Sequence, residues 1–152
     1  IVDFDVHHGN GSEVAFQNDP AVLMCSFFQS PLYPYSGLNS KRQNMVNIPV
    51  PAHSNGAMIR SLVRNSWLPA LEAFRPEFIF ISAGFDAHEA DMLAQLELVE
   101  EDYAWITTEL VQVAKKHAQG RMVSCLEGGY HLGALASSSL AHVQALMKAV
   151  SE

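Results

Sequence analysis

The sequence is poor in charge, in basic residues above all, and in cysteine. Only 16% of its 152 residues are charged, with nine Lys and Arg against 16 Asp and Glu, for a formal net charge of −7. Nucleic-acid binding needs clustered Lys and Arg against the phosphates, so this balance argues against that class. So little charge also places much of the chain in an interior, since soluble domains are typically about one-quarter charged. Two cysteines, Cys25 and Cys125, both within apolar runs, are too few for a disulfide scaffold and predict buried thiols in a reducing compartment. No apolar run approaches the ~20 residues of a membrane span, and no basic segment leads into an apolar one at the start. Low-complexity tracts, internal repeats and clear linkers are also missing. What is present is 49% hydrophobic residues, ample for the core of one domain.

Short β-rich runs fall at residues 1–6, 22–28, 45–50, 78–82 and 122–126, and helical patterns at 12–17, 57–68, 102–118 and 132–150. In the third helix Tyr103, Ile106, Leu110, Val113 and Ala114 share one stripe. Its acidic start and basic end suit the helix dipole, with Gly120 as a stop, although Val99 stands where a Ser or Thr cap is preferred. Pro69 is expected to interrupt the second helical region, leaving residues 70–74 as a separate turn. The runs at 78–81 and 122–126 are continuous rather than alternating, which predicts parallel strands covered on both faces. Strand–helix alternation gives an α/β fold with right-handed crossovers. Residues 29–44, rich in Pro, Tyr, Ser, Gly and Asn, form a long loop of the kind that often carries function. The opening strand has no Met and no polar lead-in, so the native polypeptide is expected to extend upstream of Ile1.

Polar residues gather where strands end, the edge at which open α/β sheets bind ligands. The first run ends in Asp3-Phe4-Asp5-Val6-His7-His8-Gly9-Asn10-Gly11, the fourth in Ser82-Ala83-Gly84-Phe85-Asp86-Ala87-His88, and the fifth in Glu127-Gly128-Gly129-Tyr130-His131. Asp5 and His7, two apart on an extended segment, emerge on one face and can share an ion, with Asp86 as third ligand. One nitrogen and two carboxylate oxygens leave a coordination position open, the layout of catalytic zinc, with Fe²⁺, Co²⁺ or Mn²⁺ as alternatives. Asp3, one step deeper, is placed to orient a further imidazole or hold a monovalent cation. Gly9 and Gly11 would let the backbone turn beside the ion.

Each piece has a plainer explanation. Asp86 could cap a helix, Gly128-Gly129 could be only a turn, and Tyr130 could be a core aromatic. His8, His53, His88, His117, His131 and His142 are individually surface or satisfied core residues more often than ligands. The three blocks together, in order at successive strand ends, outweigh those explanations.

These blocks, with the loop Ser30-Pro31-Leu32-Tyr33-Pro34-Tyr35-Ser36-Gly37, resemble the zinc-dependent histone deacetylase family. The likeness is greatest to its class II and bacterial deacetylase-like members, among them acetylpolyamine amidohydrolases, and it runs over essentially the whole chain. The resemblance implies a three-layer α/β/α fold with a mainly parallel sheet, arginase/deacetylase-like, present here as the C-terminal portion of one catalytic domain. Asp5, His7 and Asp86 then match the zinc ligands, and Tyr130 the tyrosine that supports the carbonyl oxygen as it becomes an oxyanion. Asp3, His8 and Asn10 match residues behind the ligands, Asp3 and Asn10 standing behind the two members of a histidine pair. Ser26, with the main-chain carbonyls of Asp3, Asp5, His7 and Phe27, matches a structural K⁺ site. Phe16, Asp19, Val22 and Asn44 match main-chain carbonyl donors of a second, more distant one. Tyr33, Gly128 and Gly129 match the lining of the acyl-lysine channel. The related binuclear manganese ureohydrolases need two further carboxylates, and residues 82–88 offer only Asp86, which favours one metal.

The implied activity is removal of acetyl groups from acetyl-lysine peptides or proteins, or from acetylated polyamines, by metal-activated water. It would be carried out by a bacterial cytoplasmic enzyme with no nucleic acid or membrane as direct partner. One element of the family pattern is not among these residues. The tandem histidines that act as general base lie upstream of the Asp-x-Asp-x-His block, so this chain alone is expected to be inactive. A non-catalytic module that keeps the fold and binds acyl-lysine or a metal is the alternative.

Overall fold

In the computed structural model, residues 1–39 and 42–148 are described. Five strands, β1 (Val2–Asp3), β2 (Met24–Gln29), β3 (Met45–Val50), β4 (Ile79–Ala83) and β5 (Met122–Leu126), form one sheet in the order β3-β2-β1-β4-β5. Every pairing is parallel. The helices are α1 (Asn10–Phe16), α2 (Gly56–Leu62), α3 (Leu68–Phe74), α4 (Glu100–His117) and α5 (Leu132–Met147). The chain builds outward from β1 through β2 to β3, then returns to β1's other side for β4 and β5. The order therefore switches between β1 and β4, and a crevice opens beyond their carboxyl ends.

Register decides which face of the sheet is dry. Val2 pairs with Cys25 and Ile81, and all three are buried in the core with Phe27, Ile79, Trp67, Tyr103 and Ile106. Phe27 stacks on Trp67 with ring centroids 5.5 Å apart. One residue along, Asp3 pairs with Ser26 and Ser82, so a polar row crosses the opposite face. The stripe expected on α4 is buried as read, Tyr103, Ile106, Leu110, Val113 and Ala114 all facing the core. The Asp102 carboxylate accepts from the Val99 N–H at 3.0 Å, the reciprocal half of a capping box, while valine offers no side-chain acceptor to the first turn.

The structure departs from the sequence reading in several places. The first strand ends at Asp3 rather than residue 6, and β4 runs to Ala83. Pro69 does not interrupt its helix. Between α2 and α3 the chain widens into a π-helical turn, Val63–Trp67, in which the Leu68 N–H donates to the Val63 carbonyl. The wide turn leaves room for the ring, and Pro69 then sits near the start of α3, where a missing N–H costs little. The last helix ends at Met147 with Lys148 as its C-cap, and of the further residues expected for it 149 and 150 lie outside the described residues. Residues 78–81 and 122–126 are not covered on both faces, because no described element lies over one side of them. Phe80 is 52% and Val123 44% exposed, and Cys125 is exposed rather than buried. Cys25 is buried as expected, its thiol pushed up to about 12 by burial.

Candidate active site

The last rung of β1 is the Phe4 N–H donating to the Ser82 carbonyl at 3.1 Å. Beyond it the chain turns twice on its own carboxylates. The Asp5 N–H donates to Asp3 Oδ1 at 3.0 Å, and the His7 N–H to Asp5 Oδ1 at 2.8 Å. Asp5 and His7 are therefore neighbours because of an aspartate-led turn, not the strand alternation expected for them. Val6, between them, goes into the core, and its N–H donates to Asp86 Oδ1 at 2.9 Å. That bond spends one Asp86 oxygen on the first turn, so Asp86 is not a helix cap.

Asp5, His7 and Asp86 each present one ligand atom, all within 4.8 Å of one another. His7 Nδ1 lies 2.9 Å from Asp5 Oδ1 and 3.2 Å from Asp86 Oδ2. Asp86 is fully buried, and its Oδ2 has no hydrogen bond of good geometry among the described residues. A buried carboxylate oxygen left so is costly unless a cation meets it. Gly128 closes the wall, its N–H donating to Asp5 Oδ2 at 2.8 Å, and a Cβ there would collide with Asp86 Oδ2. Burial pushes the Asp86 carboxyl up. Burial acts the same way on Asp5, but hydrogen bonds from the His7 ring and from the His7 and Gly128 N–H groups outweigh it and hold Asp5 down. The hydrogen bond to Asp5 and the nearby Asp86 carboxylate hold the His7 ring up at about 10. The cluster thus demands positive charge between two carboxylates. Its one nitrogen and two oxygens fit a divalent ion of the zinc type.

A cleft of about 470 Å³ opens on this cluster, lined among others by Asp3, His7, Ser82, Glu127, Gly128 and Tyr130. Asp3 is pushed up to about 8, first by burial and then by the Asp5 charge. Tyr130 is not a core aromatic. It stands 57% exposed, and burial together with Asp86, Asp5 and Asp91 raises its phenol. Gly129, before it, has φ +137°, a conformation that favours glycine. Tyr33 is exposed with its ring edge-on to His7, centroids 6.4 Å apart.

His8 turns away from the cluster. Its Nδ1 is 2.7 Å from Ser36 Oγ and its Nε2 2.6 Å from Glu13 Oε2, so it ties the Tyr33 loop to α1. Asn10 is exposed at the first position of α1. Gly9 is needed, since a Cβ would meet Asp3 Oδ2 at 2.6 Å, but Gly11 has open space around it and makes no turn beside the cluster. Ser26 is buried beside Asp3, with Phe27 next along β2. Asn44 lies beside the carbonyls expected with it around a second K⁺. Its own carbonyl accepts from the Met24 N–H, while its side-chain amide is 3.0 Å from each of the Phe16, Asp19 and Val22 carbonyls. Glu13 and Asp91 escaped the sequence reading, and Ser36 entered it only as part of its loop. Asp91 is buried, and its Oδ2 accepts from the Tyr130 and His131 N–H groups.

A parallel sheet thus gathers this donor set and a tyrosine in the crevice at its switch point. The histone deacetylase domain matches residues 1–146, and the chain belongs to the histone deacetylase family. It is 37% identical over 153 residues to histone deacetylase 14, chloroplastic, of Arabidopsis thaliana, covering 97% of this chain and 36% of that protein. A probable deacetylase of Archaeoglobus fulgidus is also 37% identical, over 96% of this chain and 43% of its own length. Among solved structures, the HDA15 HD domain superposes with a TM-score of 0.89 at 31% identity, covering 97% of this chain and 43% of that one. The fold is accordingly the arginase/deacetylase fold, present in part. The chain spans less than half the length of the curated relatives it matches. No described helix is long and apolar enough to cross a membrane.

Proposed function

We propose that this chain is the C-terminal portion of the catalytic domain of a zinc-dependent amidohydrolase. Its reaction is removal of acetyl groups from lysine side chains or acetylated polyamines. The observation that carries the reading is the convergence of Asp5, His7 Nδ1 and the buried Asp86 Oδ2 beside a cleft that Asp5, His7 and Tyr130 line. These three groups would hold the metal. When bound, zinc supplies Lewis-acid polarisation of an amide carbonyl and acidifies water. Tyr130, a phenol and so protonated at neutral pH, donates to the carbonyl oxygen as negative charge develops there. Asp3 and Asn10 orient the histidine pair that takes the water's proton. That pair lies outside these 152 residues, so the chain alone does not turn over. The water oxygen bonds to the carbonyl carbon, the amide C–N bond breaks, acetate leaves, and the freed amine takes the proton. Tyr33, Gly128 and Gly129 line the approach of the acyl chain. Ser26 and the main-chain carbonyls of Asp3, Asp5, His7 and Phe27 would hold K⁺ as a structural ion, and the inert Cys25 thiol suits a cytoplasmic setting.

The test is acetate release by the complete protein from an acetyl-lysine peptide and from an acetylated polyamine. Turnover by the wild type, reduced about 100-fold or more in Tyr130→Phe, is expected. Normal turnover by Tyr130→Phe would contradict the tyrosine's role. Binding of the peptide without turnover by the wild type would point to a non-catalytic module.

A further inference from the structure

Asp91 lies in the loop between β4 and α4, and none of the steps above uses it. It is 4% exposed, and both of its carboxylate oxygens are engaged by backbone. Oδ2 accepts from the Tyr130 N–H at 2.7 Å and the His131 N–H at 3.1 Å, 39 and 40 residues further along the chain. Oδ1 accepts from the Leu93 N–H at 3.0 Å, and the Asp91 N–H donates to the His88 carbonyl at 2.9 Å. One buried carboxylate thus joins two loops at the cleft.

The turn it grips needs such a tie. Residues 128–131 begin on firm ground, with the Phe85 N–H on the Gly128 carbonyl at 2.8 Å and the Gly128 N–H on Asp5. Gly129 follows, free of any Cβ and at positive φ. The Tyr130 phenol projects half-exposed, so where its hydroxyl sits is set by the backbone that carries it. Asp91 fixes two successive N–H groups of that backbone, and charge-assisted hydrogen bonds of this kind are the stronger ones.

We propose that Asp91 is a positioning residue for catalysis, holding the Tyr130 hydroxyl where the reacting carbonyl oxygen is met by clamping the Tyr130 and His131 amides. The role rests on Tyr130 being the donor to that oxygen. Asp91→Asn keeps the size of the side chain but replaces one accepting oxygen with an NH₂ group. Whichever way the amide turns, one of the two loops loses its acceptor.

The test uses the complete protein and four forms: wild type, Asp91→Asn, Tyr130→Phe and the double variant. Misplacing one preorganised donor is expected to lower the Asp91→Asn kcat about 30- to 300-fold, with KM changed less than about threefold and the zinc content kept. The double variant is expected to match Tyr130→Phe within about threefold, because Asp91 acts through that hydroxyl. A damaged fold instead multiplies the two penalties, and that outcome overturns the proposal. So does an Asp91→Asn kcat within about threefold of wild type. Normal turnover by Tyr130→Phe overturns the Tyr130 role and the Asp91 role together, whereas a slow Tyr130→Phe beside a normal Asp91→Asn overturns only the latter. Should Asp91→Asn not fold, hydrogen exchange of the wild type decides. The Tyr130 and His131 amides are expected to be protected at least about tenfold over an open loop, and free exchange overturns the clamp.

Discussion

The Gly128 N–H donates to Asp5 Oδ2 at 2.8 Å across 123 residues of sequence, and the same glycine lies flush against Asp86. The end of β5 is thereby pressed onto two of the three converging groups, with no space for a side chain between them.

A methyl group at position 128 must push either the backbone or Asp86 aside. Gly128→Ala in the complete protein is expected to weaken zinc binding about 10- to 100-fold, as disturbing the support of a metal ligand does. Gly11→Ala is the contrast, since a Cβ there meets open space within α1. It is expected to keep its zinc and to gain about 0.5–1 kcal/mol of helix stability. Zinc titration and urea unfolding of both variants read the two effects.

His142 is buried away from the cleft, its Nδ1 2.6 Å from Thr107 Oγ1 and its Nε2 2.8 Å from Ser124 Oγ. The Thr107 hydroxyl donates to the Tyr103 carbonyl, so Nδ1 carries the ring proton and Nε2 accepts from Ser124. Burial lowers the imidazole from 6.5 to about 4. Between those values the unfolded chain binds a proton that the folded one does not. The contribution is therefore complete above pH 6.5 and is lost as pH falls towards 4. Its size is on the order of 3 kcal/mol. Urea unfolding at neutral pH and near pH 4 should show this loss in the wild type, with a smaller one in His142→Asn, which does not titrate. Equal acid sensitivity in both would remove His142 as a cause.

Much of the site was legible because its side chains sit in motifs at strand ends, where an α/β sheet binds ligands. Asp5, His7 and Asp86 meet as the blocks imply, although a turn led by Asp3 and Asp5 brings the first two together. Asp91 was hidden because its partners are backbone N–H groups, which leave no mark in sequence. The same holds for the π-helical turn before Pro69, where a wider ring of hydrogen bonds makes room that residue propensities do not reveal. Phe80, Val123 and Cys125 misled for a different reason. A run of apolar residues records what a strand can bury, and among the described residues nothing covers that side.

The chemistry proposed for the cleft depends on Asp5, His7 and Asp86 holding a divalent ion. The most direct measurement is the zinc content of the complete protein after dialysis, compared with Asp86→Asn, which keeps the shape of the buried side chain but not its charge. Stoichiometric zinc in the wild type and its loss in Asp86→Asn, with both proteins folded, is expected. Equal zinc in the two proteins, or none in the folded wild type at saturating metal, would contradict it.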